Sequence, residues 1–198
     1  MSSKRIIVGI SGASGVAMGV RLLSHLKAQN IETHLIMSRS AQVTLAYETE
    51  LKVKDVQALA TASYSQEDIA AAIASGSFKT DGMVIVPCSM RTLAEVANGT
   101  SSSLLTRAAD VVLKERRRLV LVTRETPLHL GHLRNMVAAT EIGAIVYPPV
   151  PAFYAKPESI DVMIDHCLGR VMDLFGIDLC TVRRWRSHDA DAAQTRGL

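Results

Sequence analysis

Five short apolar runs, "RIIVGI" (5–10), "ETHLIMS" (32–38), "MVIVPCS" (83–89), "LVLVTR" (119–124) and "AIVYPP" (144–149), alternate with segments patterned for helices. No other feature constrains the fold as strongly. The runs are apolar along most of their length rather than at every second residue, so the strands they predict are buried on both faces. A parallel sheet with crossover helices on each side supplies that burial. The expected class is α/β: a doubly wound, mainly parallel, three-layer sandwich of Rossmann or flavodoxin type with five strands. Helices are expected at about 16–29, 41–47, 92–97, 102–117, 130–142 and 158–175, while the Ala- and Ser-rich segment 51–79 reads as short helices over one edge. With 198 residues, 48% of them hydrophobic, the chain suffices for one well-buried domain at 1–185, followed by the polar tail "RSHDADAAQTRGL" at 186–198.

Several function classes fall away on composition. No apolar stretch approaches the roughly eighteen residues of a membrane span. The opening "MSSKR" leads straight into the first apolar run with no apolar signal region, which places the expected location in the cytoplasm. Cys88, Cys167 and Cys180 are odd in number and lack a CxxC spacing, so neither a disulfide framework nor a zinc site is expected. His129 and His132 lie three apart without a third ligand or an HExxH pattern, and no metal site is expected there. The net charge of +3 is mild. Its densest cluster, Lys114 with Arg116, Arg117 and Arg118, closes a predicted helix, where cations oppose the negative end of the dipole. Nucleic acid is not expected as a partner.

In a doubly wound sheet the ligand sits outside the carboxyl ends of the strands. The handovers from strand to loop are 11–15, 38–39, 87–92, 123–127 and 148–154. The first, within "GISGASG", is not GxGxxG, and the second strand ends in Met37-Ser38-Arg39 rather than an acidic residue, which disfavours NAD. A P-loop is excluded by the missing lysine. What remains is close backbone approach, hydroxyls and helix-start N–H groups, which suit an anion or the polar edge of a heterocycle and equally suit a tight turn without ligand. Ser89 and Thr92 open a predicted helix with Ser38 in the same layer, so three hydroxyls can meet one phosphate, although each taken singly is a helix N-cap. Arg124 and Glu125 stand together directly after a buried strand. Arg107 and Lys114, seven residues apart, fall on one helix face and are expected to project together, with a solvated face as the plainer reading for Lys114. The loop "PPVPAFY" is stiffened by its prolines and presents Phe153 and Tyr154. Arg170 borders an apolar helix face, where Asp165 or Asp173 would pair it.

Four stretches, "GISGASG", "VPCSMRTLAEVANG", "RAADVVLKERRRLVLVTRETP" and "PPVPAFY", in this order and spacing, resemble the UbiX-type flavin prenyltransferases across residues 5–185, and most closely the members that accompany phenolic-acid decarboxylases. The resemblance implies transfer of a dimethylallyl group from dimethylallyl phosphate to N5 and C6 of reduced FMN, and delivery of the prenylated FMN to a UbiD-type decarboxylase. It implies FMN contacts at Gly12, Ala13, Ser14, Ser38, Ser89, Met90, Arg91, Thr92 and Arg124. Arg107, Lys114, Glu125, Tyr154 and Arg170 match positions around the dimethylallyl phosphate, Glu48 and Trp185 match further active-site positions, and Ser14 would stand beside the reacting edge of the flavin. A homo-oligomer, a dodecamer built from trimers, is implied as well. One departure is visible. The family pattern has a tryptophan packing the allyl group from the region before the third strand, and "SYSQEDIAAAIASGSF" contains none. Two other readings share the fold. Cysteine-oxidising FMN decarboxylases resemble "PASANT" where this chain has "PCSMRT", and their PxMNxxMW stretch is missing. A non-catalytic flavin-binding subunit would not demand a second set of cations.

Overall fold

The apolar runs become strands of a single parallel sheet: β1 (Arg5–Ile10), β2 (Glu32–Met37), β4 (Gly82–Cys88), β5 (Arg118–Thr123) and β6 (Ile145–Val146), with β3 (Ala62–Tyr64) as a sixth strand that the sequence did not announce. The computed structural model describes residues 4–185, and the polar tail expected at 186–198 lies outside them. Strand order is β3-β2-β1-β4-β5-β6, every pair parallel. The chain therefore winds outward from β1 to β3, crosses back, and winds outward again from β4. β1 and β4 are neighbours at the switch point, in register from Ile6↔Gly82 to Gly9↔Ile85.

Burial follows the two-residue period of each strand. Ile7, Ile36, Met83, Ile85, Leu119 and Leu121 belong to one apolar cluster with Leu93, Leu104, Leu105, Ala108 and Val112. The intervening Ile6, Val8, Ile10, Val84, Val120 and Val122 are also fully buried. The helices close to expectation: α1 (Val16–Ala28), α2 (Arg39–Glu48), α4 (Met90–Ala97), α5 (Leu104–Lys114), α6 (Leu130–Glu141) and α7 (Ile160–Asp173), with the short α3 (Val53–Gln57) before β3. None of the described helices is long and apolar enough to cross a membrane. The described residues separate into two compact units, divided between Pro149 and Val150. The sheet and α1 to α6 belong to the first and α7 to the second.

The expectation of five strands is corrected by β3, whose three residues are too few to show a pattern. Side chains hold it in place. Thr33 and Thr61 exchange hydroxyl and backbone bonds at 3.0 and 3.1 Å. Buried His34 reaches Glu32 Oε1 through Nε2 at 2.9 Å and Tyr64 Oη through Nδ1 at 2.8 Å. A carboxylate only accepts, so Nε2 donates to Glu32. Arg5 Nε donates to the same Glu32 oxygen at 2.7 Å, and its guanidinium lies 4.6 Å from the centre of the Phe78 ring.

The Arg5 hydrogen bond, with a smaller contribution from His34, holds the Glu32 carboxyl below its usual range. A carboxylate depressed in the folded state stabilises above its unfolded pKa of about 4.3, and that contribution is lost as pH falls through the folded value. Glu32→Gln is expected to lower stability by about 1–2 kcal/mol at pH 7 and to make the acid limb of the stability curve shallower. Denaturant melts from pH 7 down to 3 check this; parallel curves for both proteins would contradict it.

Candidate functional site

Three helices begin at one cavity of about 420 Å³ above the carboxyl ends of β1, β2 and β4. Its lining includes Gly12 after β1, Ser38, Arg39 and Ser40 after β2, Ser89, Arg91 and Thr92 after β4, and Ser102, Ser103, Leu105 and Thr106 at the start of α5. Each helix is capped by a serine. Ser38 Oγ accepts from Ala41 N at 3.0 Å, Ser89 Oγ from Thr92 N at 3.3 Å and Ser103 Oγ from Thr106 N at 3.5 Å. The Ser89 and Thr92 hydroxyls lie 3.1 Å apart. The positive ends of three helix dipoles and the hydroxyls that cap them thus line one space, an arrangement suited to a dianion such as a phosphate monoester.

Buried Ser11 fixes the geometry by tying the ends of the switch-point strands together. Its Oγ donates to Pro87 O at 2.9 Å and accepts from Ser89 N at 2.7 Å. The first turn also approaches α2 so closely that a Cβ on Gly12 would overlap Ser40 Cβ. On the rim, Arg39 pairs with Glu67 and Arg91 with Glu95, both at 2.9 Å, and Ser102 Oγ donates to Glu95 at 2.6 Å. Burial pushes the Cys88 thiol up, so this cysteine is an inert wall at the end of β4.

Glu48, the last residue of α2, returns to the start of α1. Its Oε2 accepts from Gly15 N at 2.9 Å and Val16 N at 3.0 Å, and Oε1 from Gly15 N at 3.1 Å. Gly15, the N-cap, has no side chain to do this. The helix-start amides that the first turn offers to an anion are therefore already taken by a carboxylate of the chain itself.

Among the residues matched to FMN contacts, the cavity gathers Gly12, Ser38, Ser89, Arg91 and Thr92. Ala13 is buried and Ser14 exposed on the same turn, and Met90 packs into the core cluster. Arg124 N donates to Cys88 O at 3.2 Å, and its side chain is exposed. Glu125 Oε1, also on the exposed turn, accepts from Thr126 N at 3.0 Å. Arg107 and Lys114, expected to project together, each hold a carboxylate of their own, and both reach the segment 74–76, Arg107 at Ala74 O and Lys114 Nζ beside Gly76. Arg107 bonds Asp110 at 2.7 Å and Ala74 O at 3.3 Å, whereas Lys114 pairs with Glu115 and lines a second cavity of about 550 Å³ with Asp110 and Arg116.

Within the second unit, the Tyr154 and Trp185 rings meet edge to face with centroids 5.3 Å apart, and Tyr154 meets His166 likewise at 5.9 Å. Arg170 bonds Asp173 at 2.7 Å. The same carboxylate takes both Nη1 and Nη2 of Arg184 at 2.9 Å, and these cations, Arg184 foremost, hold it below its usual range.

A family model described as Flavoprotein matches residues 1–184. The flavin prenyltransferase UbiX of Escherichia coli (strain K12) is 59% identical over 177 residues, 89% of this chain and 94% of that protein. The chain belongs to the UbiX family of flavoproteins. Among solved structures, AnUbiX in complex with FMN and dimethylallyl pyrophosphate superposes with a TM-score of 0.91 at 50% identity, covering 92% of this chain and 97% of that one. A dodecameric FMN-dependent UbiX-like decarboxylase from Escherichia coli O157:H7 gives 0.89 at 50% identity, covering 91% and 98%.

Sequence reasoning about this UbiX-family chain missed Ser40, Gln66, Glu95, Ser102 and Ser103 of the cavity and His166 of the aromatic cluster. Ser103 was signalled by Ser103-x-x-Thr106, a capping box that starts α5 two residues later than the apolar pattern suggests. Gln66 carried no such signal.

Glu48→Ala would strip the acceptor from two helix-start amides and is expected to cost about 1 kcal/mol of stability. Glu48→Gln keeps an accepting oxygen and should recover part of the loss. Thermal melts of the three proteins check this, and an unchanged melting temperature for the alanine variant would show that water serves these amides equally well.

Proposed function

We propose that this chain transfers the dimethylallyl group of dimethylallyl phosphate to N5 and C6 of reduced FMN, acting as a flavin prenyltransferase with residues 1–185 as one flavoprotein domain. The observation that carries the reading is the cavity of three serine-capped helix N-termini, in a chain 59% identical to a flavin prenyltransferase. Its donor set fits the FMN phosphate: the hydroxyls of Ser38, Ser89, Thr92 and Ser103 line the space at three helix starts. Gly12, Ala13, Ser14, Met90, Arg91 and Arg124 complete the contacts we assign to FMN. Reduced FMN, when bound, supplies the electron-rich nucleophile.

The protein's own task is the leaving group, because breaking an allylic C–O bond builds negative charge on the departing phosphate. Fixed cations and hydroxyls must neutralise it. We assign this to Arg107, Lys114, Arg170 and the Tyr154 hydroxyl, with Glu125 exchanging a proton with the phosphate and Trp185 closing the pocket against water. Glu48, by holding Gly15 and Val16, fixes the turn that carries Ser14 beside the reacting edge. Exposed apolar side chains on α6, Leu130, Leu133 and Val137, and in the second unit, Val150 and Phe153, support a homo-oligomer. We assign a dodecamer built from trimers, with "PPVPAFY" at an intersubunit site, a cytoplasmic location, and a UbiD-type decarboxylase as recipient of the prenylated FMN. The cysteine decarboxylase reading is not favoured, since relatives 54% and 59% identical over about nine-tenths of the chain are named flavin prenyltransferases.

Anaerobic incubation of the purified protein with reduced FMN and dimethylallyl phosphate is expected to release phosphate and enlarge the flavin by a five-carbon unit, with no CO₂ released from hydroxybenzoate or cinnamate. An unaltered flavin mass, or vigorous CO₂ release by the protein alone, would overturn the assignment. Glu125→Gln is expected to slow turnover by about 10²- to 10⁴-fold with FMN affinity retained. Wild-type turnover in that variant would reduce Glu125 to a turn residue.

A further inference from the structure

The residues 181–185 are fastened along one stripe of α7. Thr181 Oγ1 donates to Asp165 O at 2.8 Å, His166 Nε2 donates to Arg183 O at 3.3 Å, and Arg184 grips Asp173 with two nitrogens at 2.9 Å. Between these points the approach is so close that a Cβ on Gly169 would overlap Thr181 Oγ1 and Val182 Cγ2. Positions 165, 166, 169 and 173 recur at three-, four- and seven-residue spacings, so one helical face carries the whole strap, and the strap ends at Trp185.

His166 differs from the other attachments because it also touches Tyr154. It is only 6% exposed, its ring edges against Tyr154 at 5.9 Å, and Tyr154 in turn edges against Trp185 at 5.3 Å. Tyr154 itself sits in a single 3-10 turn, Phe153–Ala155, with 42% of its surface exposed. Such a ring turns freely unless its neighbours fix it. An apolar residue would fill the His166 site as well by volume, but it would leave the Arg183 carbonyl without this donor and release the strap between Thr181 and Arg184.

We propose that His166 is a positioning residue for prenyl transfer: it locks Tyr154 and the Trp185 strap into one unit, so that the phenol is held toward the phosphate of the allylic donor. The inference rests on the assignment of Tyr154 to that phosphate. His166 forms no bond to substrate and acts through the two rings. Because a misplacement of about 1 Å can cost about 10²-fold in rate, loosening this unit should be visible in donor kinetics while FMN binding, built in the first unit, is spared.

The test compares His166→Leu with His166→Gln, whose amide nitrogen can replace Nε2 as donor, in the full chain. Trp185 is the only tryptophan, so its emission reports on the strap alone. His166→Leu is expected to raise KM for dimethylallyl phosphate by about 10-fold and to shift Trp185 emission to the red, with FMN affinity unchanged, and His166→Gln to return KM to within about 3-fold of wild type. Wild-type KM and emission in the leucine variant would overturn the proposal, as would a glutamine variant no better than leucine. Should the leucine variant fail to fold, Thr181→Val releases the same strap from Asp165 and is expected to raise KM and shift emission in the same directions; no change there would overturn the proposal. Tyr154→Phe separates the two claims. An unchanged donor KM in Tyr154→Phe sinks the assignment of Tyr154 itself, whereas an impaired Tyr154→Phe beside a normal His166→Leu sinks only the positioning role.

Discussion

Everything at the site depends on three helix N-termini being forced to share one space. A helix start leaves its first N–H groups without intrahelical partners, and Ser38, Ser89 and Ser103 each satisfy only one of them. Gln66 takes one more from each of α2 and α5, its side-chain oxygen accepting from Arg39 N at 3.2 Å and its carbonyl from Leu104 N at 2.8 Å, and Ser40, Arg91 and Leu105 of the three first turns line the cavity. β1 and β4 are parallel neighbours whose chains depart in opposite directions, and Ser11 bolts their ends together through Pro87 and Ser89. The electrostatic property is thus a consequence of topology. Parallel strands put all their loops on one edge, and the switch point opens a gap there that a charged ligand can enter.

Glu48 completes that logic from the other side. The glycine-rich turn after β1 has the composition of an anion cradle, yet a carboxylate from α2 already occupies its amides. A phosphate seated there would meet a fixed negative charge. The first turn is consequently a wall carrying Ser14, and the anion seat proposed above lies instead at the starts of α2, α4 and α5. The cations show the same economy. Arg107, Lys114 and Arg170 each hold a carboxylate of their own chain, so each is oriented by a partner close in sequence.

The parallel sheet was legible because burial on both faces forces long apolar runs, and these run almost unbroken from Ile6 to Ile10 and from Met83 to Val86. β3 was not, because it is three residues long and is held by His34, Tyr64 and the Thr33–Thr61 exchange, pairings that only folding creates. At the cavity, Ser38, Ser89 and Thr92 were readable because each directly follows a readable strand. Gln66 and Ser103 arrive from elements whose position over β2 and β4 no local pattern encodes. The role of Glu48 at α1 is a long-range contact, whereas Arg107 and Lys114 take carboxylates only three and one residues further along the chain, a choice of partner that helical spacing leaves open. His166 reads in the sequence as an ordinary helix residue, and its bond to Arg183 spans 17 positions.

If the shared helix N-termini form a phosphate seat, FMN and riboflavin must differ in affinity for this protein. The two flavins differ only in the phosphate, so their ratio isolates what the seat contributes. Several charge-assisted N–H and hydroxyl bonds predict FMN binding tighter by about 100-fold or more, with the gap narrowing when Ser38 and Ser89 are replaced by alanine. Equal affinity for the two flavins in the wild-type protein would contradict the account.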